Sequence, residues 1–385
     1  MLERRSKSNK KFMVLSALCI FMVVDHHTFT AFNLFGDLIP YNSFFMPLFV
    51  FISGYFNKVD RGTKMLPYIW KKIRTLLIPY AGLSLFAFGI ELLMDWFKLG
   101  TPPEVPSWYL TYALERVATI GAFSPIVGPM WFVLPLFLAL LVYAVLKKLL
   151  SKIWNSIVAM TVFCVLHLLV IYLAKTTDPE AIKYFLIPLK ALFFMPFLEL
   201  GIIYRDHLEN LHERIPVGGK LGLMAGLLLL NLVRTMYLPN SYDIAFDSID
   251  DLSGFTSPYL ITPLESAAVG IIFWITMVDL IGRAFHESKF VNFMSCNTFW
   301  IMGLHVTFFN ILNCILMAVS ENIVTLPFFD AEYFRETEWY FWEISPAFKI
   351  VYVFVGILGP LGLKWLWDRL VLLVGKPFRK KTAAA

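Results

Sequence analysis

The sequence has few charged residues. Asp, Glu, Lys and Arg make up 16% of its 385 positions, whereas hydrophobic residues make up 58%. Soluble domains average about a quarter charged residues, so this composition excludes an ordinary soluble protein. The apolar segments are separated by short polar gaps, which predicts one helical membrane domain. The net charge of +5 fits basic residues retained at the cytoplasmic face and does not indicate a nucleic-acid partner.

Cysteine is also scarce, and the spacing of the cysteines does not indicate a metal or redox site. Cys19, Cys164, Cys296 and Cys314 form no CxxC pair and no Cys/His metal spacing, so we interpret them as structural thiols and expect no metal. The sequence also lacks a Gly-rich phosphate loop, an internal repeat and a low-complexity linker. These absences argue against redox enzymes, phosphate-loop enzymes and repeat scaffolds.

Apolar segments make up most of the chain. A helix needs about 20 apolar residues to cross roughly 30 Å of hydrocarbon, and the alternation of a β-barrel is missing. The predicted fold is therefore all-α, a polytopic membrane protein with a bundle of about ten transmembrane helices. The ten predicted segments are 12–35, 41–57, 75–97, 130–147, 153–174, 184–204, 219–237, 258–282, 298–318 and 347–374.

Basic residues predict the orientation. If the N-terminus is inside, 25 of the 33 Lys and Arg residues fall in inner segments and inner helix ends, whereas one outer loop holds Asp243 and Asp250. Because positively charged loops stay inside, both termini are predicted to be cytoplasmic. We expect a cytoplasmic N-terminal segment at 1–11, one transmembrane domain at 12–374 and a cytoplasmic tail at 375–385.

Ionisable residues inside the membrane mark the candidate site, because they are costly and usually face a cavity. Adjacent helical residues point about 100° apart, so His26 and His27 cannot both address one spot. For any single membrane histidine, a hydrogen-bonded packing role is the alternative. The ionisable residues within the predicted helices are Asp25, His26, His27, Glu91, His167, Lys190, Glu199, Arg234, Glu265 and His305.

Five motifs follow one another along the chain: Val23-Val24-Asp25-His26-His27, then Phe44 to Tyr55, Lys71 to Tyr80, Met130 to Phe137 and Asn297 to His305. In order and spacing they resemble the membrane acyltransferase 3 family, with its fucose 4-O-acetylase-like and polysaccharide O-acetyltransferase branches. The resemblance implies an O-acyltransferase of the inner membrane. It implies cytosolic acyl-CoA, with acetyl the expected group, as donor substrate, no bound cofactor, and a glycan or similar hydroxyl acceptor.

His27 is the predicted catalytic base. A histidine has an unperturbed pKa of about 6.5 and can remove the proton of a hydroxyl that attacks a thioester. His27 matches the histidine of the family's first helix. Residues that could support it are His26, Asp25, Glu265 and His305.

A basic cluster is the predicted donor site. Lys71 and Arg74 are three residues apart and share one helix face at the inner end of the third segment, with Lys72 beside them. They could bind the phosphate groups of acyl-CoA. The alternative is retention at the cytoplasmic face or contact with anionic lipid. Four further residues are predicted to line the cavity: Trp131, Lys190, Glu199 and Arg234.

One position departs from the family pattern. Many members have Arg or Lys eleven positions before the histidine, where this chain has Ser16. Either another residue replaces this cation or the acyl donor is bound in a different way. An acyltransferase-like scaffold without activity is one alternative function. The other is a secondary transporter or lipid-linked glycan flippase, which would move substrate without acyl transfer.

Overall fold

A computed structural model describes residues 2–28, 32–36, 39–97, 109–237, 262–336 and 348–379. Within these ranges the chain forms helices joined by loops and turns, and no strand. The all-α prediction is confirmed. The acidic loop residues Asp243 and Asp250, and the first residues of the eighth predicted segment, lie outside the described residues.

Long helices follow from the apolar composition, because lipid offers no partner to an unpaired backbone group. The α-helices in chain order are α1 (Leu2–His26), α2 (Phe45–Phe56), α3 (Met65–Lys72), α4 (Ile78–Trp96), α5 (Tyr109–Thr119), α6 (Val133–Leu149), α7 (Ser156–Thr176), α8 (Pro179–Ile182), α9 (Leu186–Ile203), α10 (Glu209–Arg214), α11 (Val217–Tyr237), α12 (Thr262–Ile281), α13 (Lys289–Cys296), α14 (Thr298–Asn322), α15 (Ala331–Glu336) and α16 (Lys349–Arg379).

The protein is a polytopic membrane protein. Within the described ranges, eight helical stretches are long and apolar enough to cross a membrane. The shorter apolar helix α2 and the apolar part of α1 correspond to the two remaining predicted segments. The eight stretches are Met65–Met94, Ile126–Leu149, Ser156–Ala174, Lys183–Arg214, Val217–Arg234, Pro263–Phe285, Thr298–Asn322 and Lys349–Leu373.

The first helix ends earlier than predicted. The first predicted segment extends to residue 35, but α1 ends at His26. Thr28 closes the helix, because its backbone N–H and its hydroxyl both donate to the carbonyl oxygen of Asp25, at 3.2 and 2.7 Å. Further on, Gly36 has a φ of +81°, which suits glycine and does not continue a helix.

The third predicted segment begins earlier than residue 75. Helix α3 starts at Met65 and runs into α4 through a π-helical turn at Ile73–Leu77. The basic cluster therefore lies within a continuous helical stretch and does not precede it. In the second predicted segment, a 3₁₀ turn at Tyr41–Ser43 precedes α2.

At the crossing of α2 and α9 the two helix backbones are in direct contact. A Cβ atom on Gly54 would lie 2.0 Å from the carbonyl oxygen of Leu198, and one on Gly201 would lie 2.1 Å from that of Phe51. Neither position has room for a side chain, so glycine lets the two backbones touch. Helix α2 in turn packs on α1 through stacked rings of Phe12 and Tyr55, whose centroids are 3.9 Å apart.

Gly201→Val should destabilise the fold, because its side chain would meet backbone atoms of α2 that cannot rotate away. We expect a loss of about 1–3 kcal/mol or more, the usual cost of overpacking. Thermal unfolding of the detergent-solubilised protein measures it. Gly226→Val is the matched control, since Gly226 lies on exposed α11 with open space around its Cβ position. Equal unfolding temperatures for the two variants would contradict the close crossing.

Candidate active site

His27 follows the last residue of α1 and is held by a backbone carbonyl. Its Nδ1 lies 2.6 Å from the carbonyl oxygen of Val23, which also accepts a hydrogen bond from the His27 backbone N–H at 3.1 Å. A carbonyl oxygen only accepts, so Nδ1 carries the ring proton. The neutral ring then keeps its lone pair on Nε2. His27 has the tautomer that a general base needs.

His305 on α14 faces His27. Its ring centroid lies 4.9 Å from that of His27, with the two planes inclined at 59°. His305 is fully buried, and its Nδ1 lies 2.8 Å from the carbonyl oxygen of Ile301. Its Nε2 is buried and has no hydrogen-bond partner among the described residues. Two imidazoles with the same tautomer therefore meet between α1 and α14.

Contacts between α14 and its neighbouring segments fix the position of His305 along the helix bundle. Gly303 lies against the side chains of Leu83 and Met130, where a Cβ atom would be 2.9 Å from each. The Thr307 hydroxyl donates to the carbonyl oxygen of Ile126 at 3.2 Å. Helix α14 is thus tied to α4 and to the 3₁₀ segment Pro125–Phe132 on either side of the histidine.

His26 contacts the His27 ring edge-on, with 5.8 Å between the ring centroids, whereas Asp25 pairs with another helix. The His26 ring lies 5.5 Å from that of Phe45 on α2, which agrees with the different directions of adjacent helical residues. Asp25 is fully buried and forms an ion pair with Lys349 on α16, with 2.8 Å between Oδ1 and Nζ. The carboxylate of Asp25 therefore engages Lys349, while the Val23 carbonyl orients His27.

Two other predicted carboxylates have partners on neighbouring helices. Glu265 pairs with Arg234, with 3.5 Å between Oε2 and Nε, and Arg234 donates to Asn231 at 2.6 Å. Glu199 accepts a hydrogen bond from the Tyr143 hydroxyl at 2.7 Å. The first group joins α11 to α12 and the second joins α6 to α9. The structure thus places these carboxylates in contacts between helices.

Trp131 and Lys190 form a buried pair near α14. The Nζ of Lys190 lies 4.4 Å from the centre of the Trp131 ring, and it donates to the carbonyl oxygen of Ile120 at 3.3 Å. A cation over an aromatic face is favourable, more so when buried. Trp131 belongs to the same 3₁₀ segment as Ile126, which contacts Thr307 on α14. The predicted cavity residues Trp131 and Lys190 are therefore connected to the helix of His305.

The basic cluster lies at the π-helical turn. Lys71 and Lys72 end α3, and Arg74 lies within the turn. Lys71 and Arg74 are exposed, and neither forms an ion pair within the described part of the chain. Lys72 is half-buried, 5.5 Å from the centre of the Tyr68 ring. π-helical turns are frequent at functional sites. Two cations are thus available there for an anionic ligand.

Sequence reasoning missed a polar cluster at the predicted cytoplasmic ends of several helices. Lys11 donates to the Tyr204 hydroxyl at 2.9 Å, and Tyr204 is 2.8 Å from Nδ1 of His212. Lys11 also pairs with Asp279 at 3.5 Å. The members come from separate elements, so no local motif marks them. Ser16 donates only to its own helix, to Phe12 at 2.8 Å.

One family of known proteins matches this chain over most of its length. The model of an acyltransferase domain, acyltransferase 3, matches residues 12–365, nearly the whole chain. A search of curated proteins and a search of solved structures each find no match. The matched range includes both facing histidines and the basic cluster.

His305→Gln should lower turnover by about tenfold or more, because it removes the imidazole that faces His27. His167→Gln is the matched control. His167 is also fully buried with its Nδ1 on a backbone carbonyl, at 2.8 Å from Phe193, but it stacks on the Phe193 ring at 4.2 Å. The rate of acyl transfer by the purified protein measures the effect of each substitution. Equal effects of the two substitutions would show that His305 serves packing alone.

Proposed function

Since the chain belongs to the acyltransferase 3 family and is a membrane acyltransferase, we propose that it moves an acyl group from cytosolic acyl-CoA to a hydroxyl of a glycan. Acetyl is the expected group. The glycan is extracytoplasmic or linked to a membrane lipid, and the protein acts as an O-acetyltransferase of the cell envelope in the inner membrane. The observation that carries the proposal is the pair of facing imidazoles, His27 and His305, with Nε2 as the basic atom of each.

The proposed chemistry is a direct transfer with His27 as base. The acceptor hydroxyl oxygen attacks the thioester carbonyl carbon while Nε2 of His27 takes the hydroxyl proton. The tetrahedral intermediate then collapses, the carbon–sulfur bond breaks, and the departing thiolate receives the proton from His27. The products are an acyl ester and CoA with a free thiol. His305 faces the ring that gains and loses this proton.

The donor route is supported by the course of α3 and α4. Arg74 lies at the predicted cytoplasmic end of this stretch, and Leu83 contacts Gly303, two residues before His305. The rise between Arg74 and Leu83 is about 13 Å at 1.5 Å per residue. An extended pantetheine arm can cover that distance. Phosphates held by Lys71 and Arg74 would leave the thioester near the histidines.

The acceptor route follows from the position of His27 at the other end of α1. From Lys11 to His27 the chain rises about 24 Å along the helix axis, which is most of a hydrocarbon core of roughly 30 Å. With the N-terminus on the cytoplasmic side, His27 lies in the outer half of the membrane. An extracytoplasmic or lipid-linked hydroxyl could therefore meet a thioester that enters from the inside.

His27→Ala should insert and fold while its turnover falls by about 10²–10⁴-fold, the usual contribution of a general base. The assay is CoA release and acyl transfer by purified protein in lipid nanodiscs with acetyl-CoA and envelope glycans. His26→Ala is the matched comparison, because the His26 ring lies against His27 and Phe45, whereas the His27 ring faces His305. Normal turnover of His27→Ala together with loss in His26→Ala would assign the base to the other histidine. Glycan flux through wild-type protein without acyl transfer would favour a transporter.

Lys71→Ala/Arg74→Ala should raise the KM for acyl-CoA more than the KM for the acceptor. Charges that hold the phosphates throughout the reaction bind ground state and transition state alike, so kcat should change little. The control is Lys58→Ala/Arg61→Ala, which removes another exposed Lys and Arg spaced three apart. Titration of correctly inserted protein with acyl-CoA measures the affinity. If the Lys71/Arg74 variant binds acyl-CoA with wild-type affinity, these residues serve only to keep this part of the chain on the cytoplasmic side.

A further inference from the structure

A buried ion pair closes the end of the helix that carries His27. Lys349 begins α16, and both its side chain and that of Asp25 are almost fully buried, with side-chain exposures of 1% and 0%. Their charged atoms, Nζ and Oδ1, are 2.8 Å apart. Removing one partner of such a pair strands the other charge in a medium of low polarity. The two residues are therefore coupled, although 324 positions separate them.

Lys349 also bonds to the last turn of α1 itself. Its Nζ donates to the carbonyl oxygen of Asp25 at 3.2 Å and to the hydroxyl of Thr28 at 2.7 Å. A lysine at the carboxyl end of a helix satisfies free carbonyl groups and complements the helix dipole. Here the lysine comes from a distant helix. It thus fixes the end of α1 relative to α16.

These contacts lie on both sides of His27 in the chain. Asp25 precedes it by two residues and Thr28 follows it directly. The second carboxylate oxygen of Asp25 accepts a hydrogen bond from the backbone N–H of Leu34 at 2.8 Å, which holds the chain after the helix. The His27 ring is oriented by Val23, one turn earlier on the same helix. The position of its Nε2 therefore depends on how the end of α1 is closed.

The carboxylate of Asp25 neutralises the positive charge of Lys349. This pairing indicates a structural role for Lys349. A cation for the thioester oxygen or for phosphate would have to be available to the ligand. Lys349 instead gives its contacts to Asp25 and Thr28, and its Nζ lies 5.4 Å from the centre of the Phe32 ring. These contacts indicate that Lys349 positions the end of α1 and does not bind the substrate directly.

We propose that Lys349 and Asp25 are positioning residues for acyl transfer, and that their buried ion pair holds His27 in register with His305. The inference rests on the proposed function of His27. It assigns to the start of α16 a part in catalysis that no motif marks. Loss of the pair lets the end of α1 shift, so that the base is present but less well aligned with the attacking hydroxyl.

The test is the double variant Asp25→Asn/Lys349→Met, which removes both charges and strands neither. We expect kcat to fall about tenfold or more while the KM for acyl-CoA stays within about twofold, because the pair is separate from the basic cluster. Lys364→Met/Asp368→Asn removes a more exposed Lys–Asp pair on the same helix and is the matched control. Selective ¹⁵N-histidine spectra, with the His27 signal assigned by His27→Ala, should show a change in its tautomer balance.

A second variant keeps the experiment decisive if the double variant folds poorly. Thr28→Val is nearly isosteric and retains both charges, but removes the hydroxyl that accepts from Lys349. It should also lower kcat at constant KM, by a smaller factor than the double variant. Wild-type kcat in Thr28→Val, or in folded double variant, overturns the inference. The proposed function fails separately, if wild-type protein transfers no acyl group or His27→Ala transfers it normally.

Discussion

The hydrogen bond from a histidine Nδ1 to a backbone carbonyl is the interaction on which the site depends. Lipid supplies no partner for a ring N–H, so the protein must supply one. His27 uses Val23 and His305 uses Ile301, each four residues earlier in the chain. The same bond satisfies the ring and leaves Nε2 as the basic atom. A structural requirement of the membrane thus produces the tautomer that general base catalysis needs.

This interaction alone does not identify a catalytic histidine. His167 makes the same type of bond to Phe193 and is as deeply buried as His305. Its ring stacks on Phe193, however, whereas the rings of His27 and His305 face each other at 4.9 Å. The difference lies in what surrounds the Nε2 side of each ring. Burial and hydrogen bonding are common to packing and catalytic histidines, so the facing pair is the feature that makes His27 and His305 the candidates.

The sequence predicted the helices better than the contacts between them. Length and apolarity are local properties, so the all-α membrane fold could be predicted, as could the motif that ends in His27. The end of α1 at His26 could not, because Thr28 and Lys349 close it. Lys349 has no motif and contacts Asp25 across 324 positions. The role of Glu265 depends likewise on Arg234, which belongs to another helix.

The same reasoning explains how the fold can have Ser16 at a position where the family resemblance predicts a cation. A charge on α1 at that height would need a buried partner, and the Ser16 hydroxyl needs only the Phe12 carbonyl. Two buried cations near the candidate site come from other helices, with Lys190 on α9 against Trp131 and Lys349 on α16 paired with Asp25. The first helix thus carries the proposed base, while these two buried cations come from neighbouring helices. A search for motifs along α1 alone therefore finds the histidine and does not find Lys190 or Lys349.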